Sequence, residues 1–432
     1  MEDNKLLNGS DSQWFTEARF GLFIHWGIAA LPARQEWMRH YEEISNEDYQ
    51  KYYDHFDPDL FDPRIWAAEA RNAGMKYLVV VSKHHDGFCL WDSALTDYKA
   101  NCTPYKKDLL QPILKAFGDE GLRPGLYYSM IDWHHPEFTV DGLHPQRNNR
   151  EFREAQAGRD WNKYLDYMYG QIRELLTQFG KIDILWLDFS YSEMIWDWCK
   201  GKGKDDWQSE KLLEMVRNLQ PGIMVNDRLE IGGDFVTPEE YQPREGMQKD
   251  GKPIIWETCQ TMNGNGAWGY TRDNLTWKST EMLVKTLIDA VSKGGNFLLN
   301  VGSNARGELP PQAVERLRGI GEWMRLHARS IYGCGKSEFT PPEDCRYTQN
   351  GKRLYLHVYS WPLKFLHLDD LENRVEYAQL LNDGSEIKMK VIDPKQPAHN
   401  IEIGEGKPGS LTLELPIKPP DVTVPVIELF LK

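Results

Sequence analysis

The sequence predicts an α/β protein, a (β/α)8-like barrel followed by an antiparallel β-sandwich. Short apolar or β-branched runs alternate with amphipathic helical stretches over most of the chain, which is typical of a parallel α/β fold. The length of 432 residues suits such a barrel with one smaller domain. Near the C-terminus the pattern changes to short alternating strands separated by turn residues. We therefore expect a barrel over residues 1–338 and a sandwich over residues 339–432.

Seven strands of the predicted barrel can be placed, and the eighth cannot. They are the runs Arg19–Ile28, Lys76–Ser82, Arg123–Met130, Ile182–Phe189, Gly222–Val225, Pro253–Glu257 and Asn296–Val301. Apolar residues at helical spacing predict the helices between them, at Pro63–Ala73, Asp108–Phe117, Trp161–Phe179, Ser209–Leu219, Thr280–Ser292 and Gln312–Leu326. A doubly wound open sheet is the second choice, but no glycine-rich phosphate loop follows any of these strands.

The predicted sandwich consists of short strands with alternating polar and apolar residues. They are Arg353–Tyr359, Val375–Leu381, Glu386–Val391, Asn400–Ile403, Ser410–Leu415 and Val424–Leu431. Turns of Asp-Gly, Pro and Asn separate them, as expected for antiparallel connections.

Composition and charge exclude several classes of function. The formal net charge of −14 argues against binding to nucleic acid or to an anionic membrane surface. No run of apolar residues is long enough to span a membrane. The six cysteines show no CxxC spacing, so we expect neither a zinc ribbon nor a disulfide scaffold. Reduced thiols and an N-terminus unlike a signal peptide predict a cytoplasmic protein.

Polar side chains follow the first two predicted strands, where a barrel carries its functional groups. His25 ends the first strand, and His84 and His85 follow the second. Metal ligation is one interpretation of the adjacent histidines, but neighbours on an extended chain point to opposite faces. Hydrogen bonds from imidazole to sugar hydroxyls are the more economical interpretation. An aromatic content of 12% is consistent with a sugar site, although such rings also pack barrel cores.

Two carboxylates on opposite sides of a cleft are what glycoside cleavage requires. Asp188 ends the fourth predicted strand among aromatic residues, where burying a carboxylate is costly without a function or a partner. Capping of the next segment is the alternative role for Asp188. Loops on a rigid scaffold often hold the second group, and Glu239 and Glu240 lie in a loop rich in Gly and Pro. Asp234 and Glu257 are further candidates.

Several motifs together resemble the α-L-fucosidases of glycoside hydrolase family 29. They occur in family order between residues 14 and 330 and read FGLFIHWG, YLVVVSKHHDGF, ILWLDFS, NDR, DFVTPE, WETCQT and SKGGNFLLNVG. The resemblance implies a retaining, exo-acting α-L-fucosidase that needs neither metal nor cofactor. It implies that Asp188 is the nucleophile that forms a covalent fucosyl-enzyme. Glu239 is then the predicted acid/base, with Glu240 as its rival.

The resemblance also implies a set of residues that hold the sugar. These are His25, Glu36, Trp37, His84, His85, Tyr128, Trp186 and Arg228. The expected partner is a fucosylated glycan or a simple fucoside, and the formation of homo-oligomers is left open. The segment FSYSEMIWDW, which begins at Phe189, departs from the family's commoner version, so we expect it to change which aglycones are accepted.

Two other functions remain open at this point. One is a fucose-binding protein that has lost turnover, although a binding protein needs no carboxylate pair. The other is a metal-dependent hydrolase that uses His84 and His85.

Overall fold

The computed structural model describes residues 12–391 and 408–432. The strands of its largest sheet are β1 (Phe20–His25), β2 (Tyr77–Lys83), β3 (Arg123–Ser129), β4 (Ile184–Asp188), β5 (Met224–Val225), β6 (Glu257–Thr261) and β7 (Asn296–Gly302). They lie in the order β6-β7-β1-β2-β3-β4-β5, and every neighbouring pair is parallel.

The sheet is curled, since its two edge strands are bridged by the same segment. Residues 235–239 lie between β5 and β6 and make parallel bridges to both edges. Phe235 bridges Asn226 beyond β5, and Glu239 bridges Cys259 within β6. The carboxyl ends of all seven strands therefore surround one opening.

Helices follow most strands, and the longer ones cover the outer face of the sheet. The first helix instead precedes the first strand and contributes Phe15 and Ala18 to the buried cluster on the inner face. In chain order, the helices are α1 (Gln13–Ala18), α2 (Met38–Tyr41), α3 (Asn46–Asp54), α4 (Pro63–Asn72), α5 (Leu110–Asp119), α6 (Arg150–Glu154), α7 (Trp161–Gln178), α8 (Lys204–Trp207), α9 (Ser209–Leu219), α10 (Thr280–Ser292) and α11 (Pro311–His327). Short 3-10 turns lie at Ile28–Ala30, Ala100–Cys102, Ala155–Gly158 and Ala328–Ser330. Two short hairpins pair Ile195–Trp196 with Cys199–Lys200 and Gln248–Lys249 with Lys252–Pro253.

The long helix α7 shows how the sequence sets these elements. Asp160 caps its N-terminus, since its side chain accepts a hydrogen bond of 3.0 Å from the Asn162 N–H. Leu165, Ile172 and Leu175 recur at helical spacing and are buried under the sheet. The same logic applies to α10, where Ser279 accepts a hydrogen bond from a backbone N–H of the first turn.

Alternation along the strands separates two apolar layers. Side chains on the inner face form one buried cluster that includes Phe23, Val79, Tyr127 and Trp186. Side chains on the outer face pack against the helices in a second, larger cluster. The inner layer is therefore a packed core that closes the curl below the opening.

Two antiparallel sheets follow α11. The four-stranded sheet has the order β8-β9-β14-β11 and the three-stranded sheet the order β10-β13-β12. These strands are β8 (Cys345–Asn350), β9 (Arg353–Val358), β10 (Phe365–Leu368), β11 (Val375–Leu380), β12 (Lys388–Lys390), β13 (Leu411–Glu414) and β14 (Val426–Leu431). Leu356 and Leu413, one from each sheet, belong to the same buried cluster.

The predicted α/β class, with a parallel sheet followed by antiparallel sheets, is confirmed. The prediction for β6 was wrong by four residues, because the run ETCQT that forms this strand carries polar side chains toward the interior. Strands β8 and β10 were not predicted, and the expected strand Asn400–Ile403 lies outside the described residues. The domain boundary at residue 338 stays a prediction. No helix in the described part of the chain is long and apolar enough to cross a membrane.

Candidate active site

A cavity of about 200 Å³ opens at the carboxyl ends of the parallel strands, and we call it the active-site cavity. In a parallel α/β sheet this end collects the residues that precede the loops, so it is where a site is expected. The cavity is lined by Phe23, His25, Trp37, His84, Tyr127, Leu143, Trp186, Asp188, Phe189, Ser190, Tyr191, Met194, Arg228, Glu239, Cys259 and Trp268.

Asp188, the last residue of β4, presents its carboxylate to this cavity. Oδ2 accepts a hydrogen bond of 2.9 Å from the Tyr127 hydroxyl. Oδ1 accepts one of 3.2 Å from Arg228 Nη1 and one of 2.9 Å from the Phe189 N–H. Phe189 has a φ of 79°, a costly conformation for this residue type, and its N–H lies within reach of the carboxylate. All of these donors hold the carboxylate in one orientation.

Burial raises the pKa of Asp188 to about 6, while the Arg228 guanidinium opposes that rise. Glu239 nearby acts in the same direction as burial, because two like charges disfavour ionisation. The group is thus ionised near neutral pH, as a nucleophile requires.

Arg228 joins the two predicted catalytic carboxylates. Its Nη1 donates to Asp188, and its Nη2 donates to Glu239 Oε2 at 2.8 Å. Its Nε donates to the Thr237 hydroxyl at 3.0 Å, and its guanidinium lies 4.9 Å from the centre of the Trp186 ring. The cation is therefore fixed on three sides, and it bridges the two carboxylates at the cavity.

The structure separates Glu239 from the other candidates for acid/base. Glu239 lines the active-site cavity, and its side chain is 40% exposed. Glu240 points elsewhere, since its carboxylate accepts from the Thr261 N–H and from Lys278 Nζ. Asp234 is buried against Arg217, and Glu257 is fully buried below the cavity, where Tyr77 donates to it.

His25 and His84, two of the residues expected to hold the sugar, lie close together in the structure. Their ring centres lie 5.4 Å apart, and both line the active-site cavity. His25 Nδ1 lies 2.6 Å from Asn300 Oδ1, and burial lowers the pKa of His25 to about 3. Burial also lowers the pKa of His84. Both rings are therefore neutral, and a neutral imidazole can donate or accept a hydrogen bond with a hydroxyl.

His85 lies behind His84 and does not line the active-site cavity. Its ring stacks on Trp133 at 3.9 Å and lies 4.8 Å from the ring of Trp37. Burial lowers its pKa, and neither ring nitrogen has a hydrogen-bond partner among the described residues. The predicted sugar contact of His85 stays a prediction.

Glu36 and Trp37 come from the loop before α2. Trp37 lines the active-site cavity, and Glu36 borders a smaller cavity beside it that also touches His25 and His84. The Glu36 carboxylate accepts from the Gly269 N–H at 2.5 Å. Burial raises its pKa. Glu36 thus holds the loop that places Trp268 in the cavity wall.

The assignment of Tyr128 to the sugar pocket was wrong by one residue. Tyr128 lies on the outer face of β3, where its hydroxyl donates to Gln171 at 2.8 Å. Tyr127 faces the cavity instead. In the parallel register Tyr127 is paired with Trp186, and paired residues project to the same face. This register joins two strands that are far apart in the sequence, so the sequence alone did not reveal which of the two tyrosines faces the cavity.

Other wall residues were not among those expected to hold the sugar, although Phe189, Ser190, Tyr191 and Met194 belong to the segment expected to change which aglycones are accepted. The other wall residues are Phe23, Leu143, Phe189, Ser190, Tyr191, Met194, Cys259 and Trp268. Alternation with His25 points to Phe23, but most of the others come from loops, where no period indicates the direction of a side chain.

The metal-dependent alternative gains no support from this arrangement. Within residues 12–391 and 408–432, no group of three or more His, Cys, Asp or Glu side chains is placed to hold a metal ion.

Two carboxylates on one guanidinium, in a pocket walled by aromatic rings, define the class of a glycoside hydrolase. A family model described as α-L-fucosidase matches residues 2–329. The chain therefore belongs to the α-L-fucosidase family.

Known relatives agree with this assignment. α-L-Fucosidase isoenzyme 1 from Paenibacillus thiaminolyticus is 44% identical, with a TM-score of 0.89 and full coverage of both chains. A glycoside hydrolase family 29 α-L-fucosidase from Bacteroides thetaiotaomicron, solved as a trapped covalent intermediate with 2-fluoro-fucosyl fluoride, is 26% identical, with a TM-score of 0.82 and coverage of 97% and 95%. Tissue α-L-fucosidase from Homo sapiens is 28% identical over 81% of this chain and 76% of its own.

Proposed function

We propose that this chain is a retaining, exo-acting α-L-fucosidase that removes terminal α-L-fucosyl residues from glycans or simple fucosides. The observation that carries the proposal is the guanidinium of Arg228 shared between Asp188 and Glu239. Structures of a bacterial fucosidase with an iminocyclitol inhibitor and of a covalent intermediate trapped with 2-fluoro-fucosyl fluoride support the same substrate class.

In the first step an Asp188 carboxylate oxygen attacks the anomeric carbon of the fucose. The bond to the leaving oxygen breaks, and that oxygen takes a proton from Glu239. The product is a fucosyl ester of Asp188 and a free aglycone. Arg228 and Tyr127 stabilise the ionised form of Asp188 before the attack.

In the second step Glu239 takes a proton from a water molecule that attacks the same carbon. The ester bond breaks, and Asp188 returns as a carboxylate. Two inversions at one carbon give net retention. The Trp186 ring forms part of the cavity wall beneath Arg228, and His25 and His84 supply neutral hydrogen-bonding groups for the sugar hydroxyls.

We also propose the finer features of the fold. Residues 235–239 serve as the eighth strand of a closed barrel, which the bridges to both sheet edges support. The two antiparallel sheets form a sandwich beginning near residue 339, which their shared apolar cluster supports. A cytoplasmic location is proposed from the cysteines, all of which are free thiols.

Release of p-nitrophenol from p-nitrophenyl α-L-fucoside tests the function. We expect turnover by the wild type that is unaffected by EDTA and lost in Asp188→Ala. Asp166→Ala, an exposed carboxylate on α7, is the matched control and should keep full activity. Proton NMR of the first-formed sugar should show the α-anomer, and the β-anomer would exclude retention.

Two outcomes would favour the other functions. Binding of fucose by calorimetry without turnover of any fucoside or fucosylated oligosaccharide indicates a binding protein. Turnover that EDTA abolishes indicates a metal-dependent hydrolase.

A further inference from the structure

A hairpin at the mouth of the active-site cavity carries large apolar side chains in solvent. Ile195–Trp196 pairs with Cys199–Lys200, and Met194 directly before it lines the cavity. Met194 is 48% exposed, Ile195 is 82% exposed and Trp198 is 38% exposed. Grouped apolar exposure beside a binding cavity indicates a surface that is covered when a ligand is present.

The hairpin is fixed at its base by a buried ion pair. Asp141 accepts hydrogen bonds from Lys202 Nζ and from the Tyr191 hydroxyl, the latter at 2.7 Å. Both side chains of the ion pair are at most 6% exposed. A buried pair of this kind sets one geometry for the segments that it joins. The apolar side chains are therefore held in place before any ligand arrives.

A close backbone contact adds to this attachment. Trp196 packs directly against Gly142, where an added Cβ would lie 2.0 Å from the indole ring. Leu143, the next residue, is part of the cavity wall. The hairpin and the loop that carries Leu143 thus form one surface.

The wall of the cavity differs between its two sides. The charged groups Asp188, Arg228 and Glu239 lie together on one side. Leu143, Tyr191 and Met194 bring no charged group, and we call them, with Ile195, the apolar lip. In an exo-acting enzyme the terminal sugar occupies the charged side, and the rest of the substrate leaves through the mouth.

Charged residues of both signs surround the apolar side chains of the hairpin. Glu193 and Asp197 are exposed, and so is Lys200, which pairs with Ile195. The guanidinium of Arg153 lies 4.6 Å from the centre of the Trp198 ring. The apolar side chains, and no single sign of charge, therefore characterise this part of the mouth.

We propose that the apolar lip is the binding site for the leaving part of the substrate, and that it selects an aglycone with an apolar face. An aryl group or the apolar face of a neutral sugar ring fits this description. This inference rests on the proposed fucosidase activity and names the substrate class of the same site.

Two substrates with the same fucosyl group test the proposal. p-Nitrophenyl α-L-fucoside places an aryl ring at the mouth, whereas α-L-fucosyl fluoride leaves no aglycone there. The measured quantity is the ratio of kcat/KM for the aryl fucoside to kcat/KM for the fluoride. For Met194→Ser we expect this ratio to fall about fivefold, because the aryl ring loses part of its apolar contact.

Leu363→Ser is the matched control, since Leu363 is 80% exposed and lies in the C-terminal region away from the cavity. It should keep the wild-type ratio. A Met194→Ser ratio within about twofold of the wild type, the scatter set by solvent-exposed substitutions, would overturn the proposal.

The outcomes also separate this inference from the proposed function. A wild type that is inert toward both substrates contradicts the fucosidase activity itself, whereas turnover of both with an unaltered Met194→Ser ratio contradicts only the apolar lip. Light scattering of the wild type and Ile195→Ser tests whether a second copy of the chain binds to this surface instead. A lower oligomeric mass in Ile195→Ser, with an unaltered ratio, would assign the surface to a second copy of the chain and overturn the proposal.

Discussion

The interior of the parallel sheet holds a carboxyl group at each end. Asp188 lies at the carboxyl end of β4, beside the cavity, and Glu257 begins β6 at the opposite end. The Asp188 side chain is 17% exposed and faces Arg228. Glu257 is fully buried, and its carboxylate accepts a hydrogen bond from the neutral Tyr77 hydroxyl.

The two ends therefore leave different charges on chemically similar groups. Burial raises the pKa of Glu257 to about 8, whereas the pKa of Asp188, opposed by the Arg228 cation, rises only to about 6. Near neutral pH Asp188 is mostly ionised and Glu257 is mostly protonated. Burial raises the pKa of both groups, and the Arg228 cation is what keeps Asp188 ionised near neutral pH.

Removing each carboxylate in turn should give the largest difference in activity between the two ends of the sheet. Asp188→Ala should lower kcat/KM for p-nitrophenyl α-L-fucoside by about 10⁴-fold or more, since the covalent step loses its nucleophile. Glu257→Gln should stay within about tenfold of the wild type, because the group takes no part in the reaction. Steady-state kinetics and circular dichroism of both variants provide the measurement. A greater loss of kcat/KM in Glu257→Gln than in Asp188→Ala would place the reaction at the Glu257 end of the sheet and contradict the assignment of Asp188.

The next largest effect on activity should distinguish Glu239 from its neighbour Glu240. Glu239→Ala should lower kcat/KM for a fucosyl disaccharide by about 10²–10³-fold, because a poor leaving group needs protonation. The loss should be smaller with the p-nitrophenyl substrate, and azide should restore part of it.

Glu240→Ala is the control for that experiment, since Glu240 contacts Thr261 and Lys278 outside the cavity. Azide rescue in Glu240→Ala, without rescue in Glu239→Ala, would reverse the assignment.

Glu257, at the buried end of the sheet, should make the free energy of unfolding depend on pH. A folded-state pKa raised to about 8 means that the folded protein holds the Glu257 proton more tightly than the unfolded chain. The resulting stabilisation is full below the unfolded pKa of about 4.3 and is lost as the pH rises through about 8. Between about pH 5 and pH 8 the loss is on the order of 3 kcal/mol.

Glu257→Gln removes this titration. The free energy of unfolding by urea, compared for variant and wild type, should move in favour of the variant as the pH rises. A constant difference between about pH 5 and pH 8 would show that Glu257 does not titrate in this range.

The smallest effect should come from the adjacent tyrosines of β3. The acid limb of kcat/KM should have an apparent pKa near 6, set by Asp188. Tyr127→Phe removes a hydrogen bond that lowers this pKa, so the limb should move to higher pH and kcat/KM should fall about tenfold.

Tyr128→Phe provides the matched control one residue away. It loses its hydrogen bond to Gln171 on the outer face, which should cost stability of about 1–2 kcal/mol. The pH profile of kcat/KM should not change. A shifted acid limb in Tyr128→Phe would contradict the placement of the two rings.

Much of this organisation could be predicted from the sequence because it follows from local pattern. The apolar run before His84 and the run that ends at Asp188 are unbroken, so both strands were placed to within two residues. The predicted position of β6 was wrong because Glu257 and Gln260 are polar residues that are buried within the strand. In a sequence pattern, polar residues after an apolar run indicate that the strand has ended.

The residues of the site were harder to predict from the sequence than the strands, for two physical reasons. The face of Tyr127 depends on its register with β4, a contact between segments far apart in sequence. The choice between Glu239 and Glu240 depends on the direction of two neighbouring side chains in a loop, where no period applies. Arg228 and Lys278 decide that choice in the folded protein.

The tie between Asp141 and Lys202 has a consequence for how enzymes of this kind can diversify. It closes the base of the hairpin, so the residues between Tyr191 and Lys202 emerge from one anchored stem. Asp188 lies before that stem and has separate supports in Tyr127 and Arg228. Substitutions at the tip of the hairpin can therefore accumulate during evolution and alter the mouth of the cavity, while Asp188 and the residues that hold it stay in place.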